Sequence, residues 1–214
     1  IQVGVTPRVF PRGEIRTGRK EGKFPQGLST FRFTSARTTI EALAKLYGGT
    51  PAPWPERPGQ WDLVSETSTI AAWLDTATIQ TAYEQWGKTG LTVSCNGYAD
   101  QMGEACKCPT PGAGPCSATG RAMVRLSEQS PHLWAIKTGS MTGVACLLGI
   151  SRQHVGVVPA TMTLLPRSGQ TASGHRKWTA LEIRPIFNED LTVPGDGPIG
   201  SDPTDHEDST EDMQ

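Results

Sequence analysis

The sequence predicts an α+β protein with a mostly antiparallel sheet, two or three helices and a small cysteine-bearing loop insertion. Several segments alternate apolar and polar residues as strands do, and one places apolar residues at helical spacing. The 24 glycines and 17 prolines among 214 residues indicate many loops and short elements. We expect one α+β domain over residues 1–187, with the insertion at about 95–116, and a disordered acidic tail over 188–214.

The strand signals are short alternating runs that begin or end near Gly, Pro or polar residues. The predicted strands cover residues 28–34, 61–65, 68–74, 91–95, 121–126, 133–138, 161–166 and 178–185. We expect 61–65 and 68–74 to pair as a hairpin or meander, and the last two strands to form a long hairpin. Residues 80–86 fit either a helical turn or a strand.

The helix signals are one run with apolar residues at helical spacing and one short apolar run. Residues 36–47 form the first predicted helix, with Ser35 as N-cap and Gly48-Gly49 ending it. Residues 140–148 form the second, with Ser140 as N-cap.

Charge is unevenly distributed along a chain of net charge −1. Residues 1–50 hold nine Lys or Arg against three Asp or Glu, whereas residues 189–214 hold nine Asp or Glu and no Lys or Arg. The basic front half suits contact with nucleic acid or an acidic partner, and a solvated positive face explains it equally well. We expect no membrane span and no signal peptide, and therefore a cytoplasmic protein.

Four cysteines lie close together in a segment rich in Gly and Pro. Their spacing is C-x10-C-x-C-x7-C, formed by Cys95, Cys106, Cys108 and Cys116. Such a segment has no core of its own, so it needs a metal or disulfides to hold a shape. The sequence predicts one structural zinc ion on these four thiolates; two disulfides or free thiols are the alternatives. Cys146 lies in an apolar helical run and is expected to be a small buried side chain.

Catalytic motifs are missing from the sequence. The four histidines are isolated, and neither a phosphate-binding loop nor a G-x-S-x-G elbow is present. A zinc hydrolase would need a metal site with an open position, and four cysteines form a closed one. The sequence therefore favours a binding or regulatory protein that is not an enzyme.

Several motifs occur together in one order. They are Arg12-Gly13-x-Ile15-Arg16-x-Gly18, LSTFRFTS at 28–35, LYGG at 46–49, a tryptophan in a proline-rich loop at 54, and the cysteine cluster. Over about residues 8–185 this pattern resembles the recombination directionality factors of actinobacterial phages and prophages, which partner large serine integrases of the phiC31 type. The resemblance implies a non-catalytic bacterial-host protein that binds an integrase and switches it from integration to prophage excision. It also implies that the contact lies on the integrase's C-terminal zinc and coiled-coil region, with DNA contacts indirect or weak.

The integrase-contacting residues are a hypothesis drawn from charge density and one proline-flanked aromatic residue. We expect the partner-binding surface to consist of Arg12, Arg16, Arg19, Lys20, Arg32 and Trp54. Trp54 is either an anchor for the partner or a clamp over the core. The alternative function is a zinc-containing DNA-binding protein that uses the basic segment and the cysteine loop.

Overall fold

A computed structural model describes residues 10–21, 24–106, 116–171 and 174–186. Ten strands and two helices lie within these ranges. The helices are α1 (Arg37–Tyr47) and α2 (Met141–Gln153). The strands are β1 (Gly13–Glu21), β2 (Phe24–Ser35), β3 (Ala52–Pro53), β4 (Trp61–Val64), β5 (Thr69–Gly87), β6 (Gly90–Cys95), β7 (Ser117–Arg125), β8 (Trp134–Thr138), β9 (Val157–Thr171) and β10 (Gly174–Pro185).

The described strands form one mixed sheet in the order β10-β9-β5-β7-β8-β1-β2-β4-β3, and β6 pairs with β5. The described pair β1–β8 is parallel, and the other strand pairs in this part of the chain are antiparallel. The 19-residue β5 is the central element, since it pairs with β9, β7 and β6 at different points along its length.

The sheet curls until β2 approaches β9 and β10. The segment that connects β4 to β5 links β2 to β9. The carbonyl of Thr67 accepts a hydrogen bond from the backbone N–H of Phe31 on β2, and the carbonyl of Ser68 accepts one from the backbone N–H of Leu164 on β9. Gly27 permits the closest approach: a Cβ atom there would lie 2.7 Å from the hydroxyl oxygen of Thr179 on β10.

Both helices pack on the inner face of the curled sheet. Ile40 and Leu43 of α1 and Leu147 and Ile150 of α2 are buried in one core cluster with the inward-facing side chains of the strands. Gly48 and Gly49 end α1 with φ values of 70° and 91°, a region that glycine adopts without strain. The outer face of the strands is therefore left uncovered by helices in the described part of the chain.

The predicted α+β class is wrong, because the described residues are mostly strand, arranged in one mixed sheet with two helices. Several strands are longer than predicted. For example, the predicted strands 161–166 and 178–185 are the middle of β9 and the end of β10, and the ends of this hairpin that lie beyond the core carry polar residues without apolar alternation. Residues 80–86, which fit helix or strand, belong to β5. In addition, β4 and β5 do not pair with each other as expected; β4 pairs with β2 and β3.

Both predicted helices are present, although α2 continues five residues past its predicted end at 148, and one predicted cap is wrong. Ser140 caps α2 by accepting a hydrogen bond from the backbone N–H of Gly143 at 3.4 Å. Ser35 does not cap α1: its hydroxyl donates to the carbonyl of Arg12 at 2.6 Å, and Ala36 takes the N-cap position. Neither described helix is long and apolar enough to cross a membrane.

Candidate interaction site on the outer face of the sheet

Four cationic residues lie side by side across four adjacent strands. Arg121 of β7 is in register with Lys137 of β8, Lys137 with Arg16 of β1, and Arg16 with Arg32 of β2. Their neighbours along each strand, such as Ile15 and Ile136, are buried in the core, so the four cations share the outer face. We call these four residues the cationic row.

One end of the cationic row is organised around Trp54. The ring is 3% exposed, and the guanidinium carbons of Arg16, Arg32 and Arg57 lie 4.7, 5.2 and 4.8 Å from its centroid. A guanidinium this close to an indole face is attracted by its quadrupole, by about 0.5–2 kcal/mol depending on exposure. The proline-rich loop that carries Trp54 therefore holds the indole against the sheet, among the three guanidinium groups.

Carboxylates fix these arginines. Arg32 donates its Nε–H to Asp62 at 2.8 Å, and Arg16 donates its Nε–H to Glu14 at 2.9 Å. Arg57 lies 3.5 Å from the other oxygen of Glu14. These ion pairs orient the guanidinium groups while leaving the side chain of Arg57 half exposed.

The other end of the row surrounds a buried carboxylate, Glu84 of β5. Its oxygens lie 2.5 Å from Arg121 Nη1 and 3.8 Å from Lys137 Nζ, and Trp86 donates its indole N–H at 2.9 Å. Burial tends to raise the pKa of Glu84, but the hydrogen bonds and positive charges around it outweigh burial and hold the pKa below the usual value. Lys137 Nζ also lies 4.8 Å from the centroid of Trp86, so this end repeats the pairing of cation and tryptophan.

The whole cluster carries excess positive charge. The cationic row and Arg57 supply five cations, and three carboxylates, Glu14, Asp62 and Glu84, lie among them, which leaves a net charge of +2. An outer face with this balance is complementary to an acidic surface.

A shallow depression of about 300 Å³ opens beside the Trp54 end. It is lined by Arg12, Glu14, Thr34, Gln60 and neighbouring backbone. The hydroxyl oxygen of Thr34 is buried and finds no hydrogen-bond partner among the described residues. A buried polar atom without a partner is unfavourable, so a polar side chain entering the depression would gain by satisfying it.

The structure brings together three of the six residues predicted for the partner-binding surface: Arg16, Arg32 and Trp54. Arg32 and Trp54 are buried, so they support the surface from below. Arg12 is exposed at the rim of the depression, where its Nε–H donates to Thr39 at 3.1 Å. Arg19 is exposed further along β1, and the side chain of Lys20 lies outside the described part of the chain.

Sequence reasoning missed Arg57, Arg121, Lys137 and the three carboxylates. Arg57 follows Trp54 by three residues in the same proline-rich loop, and that spacing was an available signal. Arg121 and Lys137 join the row only through strand register, which no local pattern reveals.

The cysteine loop is a second feature at the end of β6. Asn96 and Asp100 fold it, since each side chain accepts two backbone hydrogen bonds at 2.8–2.9 Å. The sulfur atoms of Cys95 and Cys106 lie 3.7 Å apart, and the backbone N–H of Gly97 donates to Cys95. Burial raises the pKa of the Cys95 thiol, and the nearby thiols of Cys106 and Cys116 raise it further.

The structure describes three of the four cysteines predicted to bind zinc. Cys95, Cys106 and Cys116 are described, whereas Cys108 belongs to residues 107–115, which lie outside the described ranges. In the part of the chain that the structure describes, no three His, Cys, Asp or Glu side chains converge as a metal site. Zinc on the four cysteines stays a prediction, and two soft sulfur donors 3.7 Å apart are compatible with it.

Arginine and tryptophan are enriched among the residues that dominate protein–protein binding, and this sheet face, which no described helix covers, carries both residue types. A family model described as Gp3-like, recombination directionality factor-like, matches residues 12–193. The chain belongs to this family, as the motifs of its N-terminal half predict. No curated protein and no solved structure matches the chain.

Proposed function

We propose that this protein is a non-catalytic regulator that binds a large serine integrase and switches it from integration to prophage excision. The family match over residues 12–193 is the observation that supports this proposal most strongly. The outer face of the sheet supports the proposal further. Its charged and aromatic side chains are held in fixed positions, so they could bind a partner protein in one orientation.

The switch follows from differential binding. An effector shifts a conformational equilibrium only by the difference in its affinity for the two states. The protein would bind more tightly to the integrase arrangement that pairs the two hybrid attachment sites than to the one that pairs the parental sites. The nucleophile for DNA cleavage would belong to the integrase.

The cationic row, Arg57 and the adjacent depression form the proposed contact surface. Arg16 and Arg57 offer partly exposed guanidinium groups above the buried Trp54, and arginine is enriched among residues that dominate binding energy. The net charge of +2 suits an acidic patch on the integrase, which we place in its C-terminal zinc and coiled-coil region. Trp54 and Arg32 would act indirectly, by holding the exposed arginines in place.

The test measures recombination by the cognate integrase on hybrid and parental sites, with the double variant Arg16→Glu, Arg57→Glu. We expect loss of stimulation on hybrid sites and loss of integrase pull-down, because charge reversal opposes the acidic partner. The matched control is Lys45→Glu, Arg152→Glu, which reverses two exposed cations at the ends of α1 and α2. Circular dichroism and thermal unfolding verify that both variants are folded.

Two results would contradict the proposal in different ways. If the unmodified protein leaves both recombination reactions unchanged, the regulatory function is wrong. If the Arg16, Arg57 variant stimulates excision as well as the control does, the function stands and the contact surface is wrong.

The alternative, a DNA-binding protein, is tested by a gel shift without integrase. Strong, salt-sensitive binding of the protein alone to attachment-site DNA would favour it, because phosphate contacts release counterions.

A further inference from the structure

A groove of about 460 Å³ lies between two hairpins, on the side of the molecule where β2 approaches β10. Gly27 and Ser29 of β2 line one wall. The β9–β10 hairpin supplies the opposite wall through Pro166, Arg167, Ser168, Lys177, Trp178 and Thr179. The contact between Gly27 and Thr179 closes one point of the groove.

The groove combines two cations with an aromatic surface. Arg167 and Lys177 are exposed, and neither forms an ion pair within the described residues. Trp178, in register with Arg167 and therefore on the same face of the hairpin, is 47% exposed, whereas Lys177 projects from the opposite face of β10. The cationic row differs, because Glu14, Asp62 and Glu84 already neutralise much of its charge. An anionic segment would therefore find unneutralised charge in the groove.

The groove also offers backbone hydrogen-bonding groups. In the described sheet β10 has one paired neighbour, β9. On its other edge the Leu181 N–H donates to Ser140 Oγ and Thr179 lies against Gly27, so the part of this edge before Thr179 is the part left without a strand partner in the described sheet. An extended segment can bond to such an edge while its side chains reach the groove walls.

The chain itself carries a segment of the complementary charge. Nine Asp or Glu and no Lys or Arg occur in residues 189–214, directly after β10. Thr179 of β10 lies seven residues before Ile186, which directly follows the end of the strand, and this separation is about 23 Å at 3.3 Å per residue. Asp202 follows Ile186 by 16 residues, which can span up to about 53 Å. The acidic residues can therefore return to the groove.

We propose that the acidic segment 189–214 binds the groove between the two hairpins of its own chain, with its carboxylates paired to Arg167 and Lys177. Because the segment is tethered, its effective concentration at the groove is high, and individually weak ion pairs suffice. The pairs lie near the surface, so salt weakens them. While bound, the segment excludes other anionic ligands from this groove. The proposal does not depend on the integrase.

The test compares nitrogen-15 NMR spectra of the full chain and a full-length variant with a neutralised segment. The changes are Asp202→Asn, Asp205→Asn, Glu207→Gln, Asp208→Asn, Glu211→Gln and Asp212→Asn, which remove six of the nine carboxylates of the segment. At low salt we expect shifts of the Trp178 indole and of the Gly27 and Lys177 amides. At 0.5 M NaCl we expect the two spectra to coincide at these positions.

Combining the neutralised segment with two different pairs of charge reversals shows whether the spectral changes arise from binding in the groove. In Arg167→Glu, Lys177→Glu the neutralised segment should no longer change the Trp178 signal, whereas in Lys45→Glu, Arg152→Glu the change should persist. Unchanged groove signals at low salt, or changes centred on Trp54 and Arg121 instead, would overturn the proposal. Shifts that depend on protein concentration would also overturn it, since they would indicate binding to a second copy.

Discussion

Glu84 shows how a single buried charge organises the outer face. The residue is 2% exposed, yet Arg121, Lys137 and Trp86 surround its carboxylate with charged or hydrogen-bonding groups. Leaving a buried charge without its partners is strongly unfavourable, so each of these residues depends on the others for its orientation. The segment TAYEQW gives no sign of this, because a glutamate is rarely buried unless it is paired, and the partners Arg121 and Lys137 lie on strands distant in sequence.

Replacing Glu84 with Gln should destabilise the protein at pH 7 by about 1.5–3 kcal/mol, the usual contribution of hydrogen bonds to a charged group. The folded state lowers the Glu84 pKa below its ordinary value of 4.5, so the ionised carboxylate stabilises the fold. That contribution is present above pH 4.5 and is lost as the pH falls through the lower pKa of the folded state. Urea unfolding at pH 7 and at pH 3 measures the free energy of unfolding of the unsubstituted protein and of the Glu84→Gln variant. We expect the difference between the two free energies to be smaller at pH 3.

The control for this substitution is Glu128→Gln, which removes an exposed carboxylate after β7. It should change the free energy of unfolding by less than about 0.5 kcal/mol. An equal effect of both substitutions would show that the surroundings of Glu84 contribute nothing specific.

At the scale of elements, the loop after β6 is short of apolar contacts. Tyr98 and Met102 are 85% and 80% exposed, and the fold of residues 96–106 depends on turns closed by Asn96 and Asp100. Turns alone stabilise a loop weakly, whereas a metal ion on cysteine thiolates supplies folding free energy directly.

If zinc binds as the sequence predicts, the purified protein should contain one zinc per chain, and Cys106→Ser should lower the zinc content and the order of the loop. Elemental analysis measures the metal, and hydrogen exchange of residues 96–106 measures the order. Cys146→Ser should retain zinc, because Cys146 lies on α2 and packs against the core. A metal-free protein with full protection in this loop would contradict the prediction.

At the scale of the whole molecule, the parallel pairing of β1 with β8 connects the N-terminal hairpin to the central strands. Gly13 lies at the start of this connection. A Cβ atom there would lie 2.3 Å from the carbonyl oxygen of Thr34 and 2.6 Å from the Trp134 ring. Backbone and a buried ring leave no room, so only glycine fits at this position.

Gly13→Ala should lower stability by about 1–3 kcal/mol through overpacking. Gly149→Ala is the opposite case, because a Cβ atom on this α2 residue meets nothing within 4 Å. In a helix interior that change should raise stability by about 0.5–1 kcal/mol. Thermal or urea unfolding measures the stability of the two variants and should show a decrease for Gly13→Ala and an increase for Gly149→Ala. An unchanged stability of Gly13→Ala would show that the start of β1 can accommodate a larger side chain.

The elements that the sequence predicted best are the local ones. Helix α1 follows from apolar periodicity and its terminal glycines, helix α2 follows from an apolar run after the N-cap Ser140, and the β9–β10 hairpin follows from two alternating runs. All of these signals act within a few residues. The parallel pairing of β1 with β8 and the separation of β4 from β5 could not be predicted, since both depend on contacts between residues far apart in sequence.

The candidate site divides in the same way. Arg16, Arg32 and Trp54 were predicted together because charge and an aromatic residue stand out in the sequence. Arg121 and Lys137 belong to the same row through strand register, and register is set by the whole core. Burial of Trp54 could not be predicted either, because its proline neighbours fit an exposed anchor as well as a clamp.

The pairing of β1 with β8 also sets an order of events during translation. Chain growth delivers β1 more than a hundred residues before β8, so the β1 edge of the N-terminal hairpin has no β8 partner until Trp134–Thr138 have been synthesised. At that stage Arg16 can lie beside Arg32, but Lys137 joins the row only after β8 has been synthesised. The outer face is therefore completed late in synthesis, and a prematurely terminated chain that ends before β8 would expose the hairpin edge without presenting the complete row.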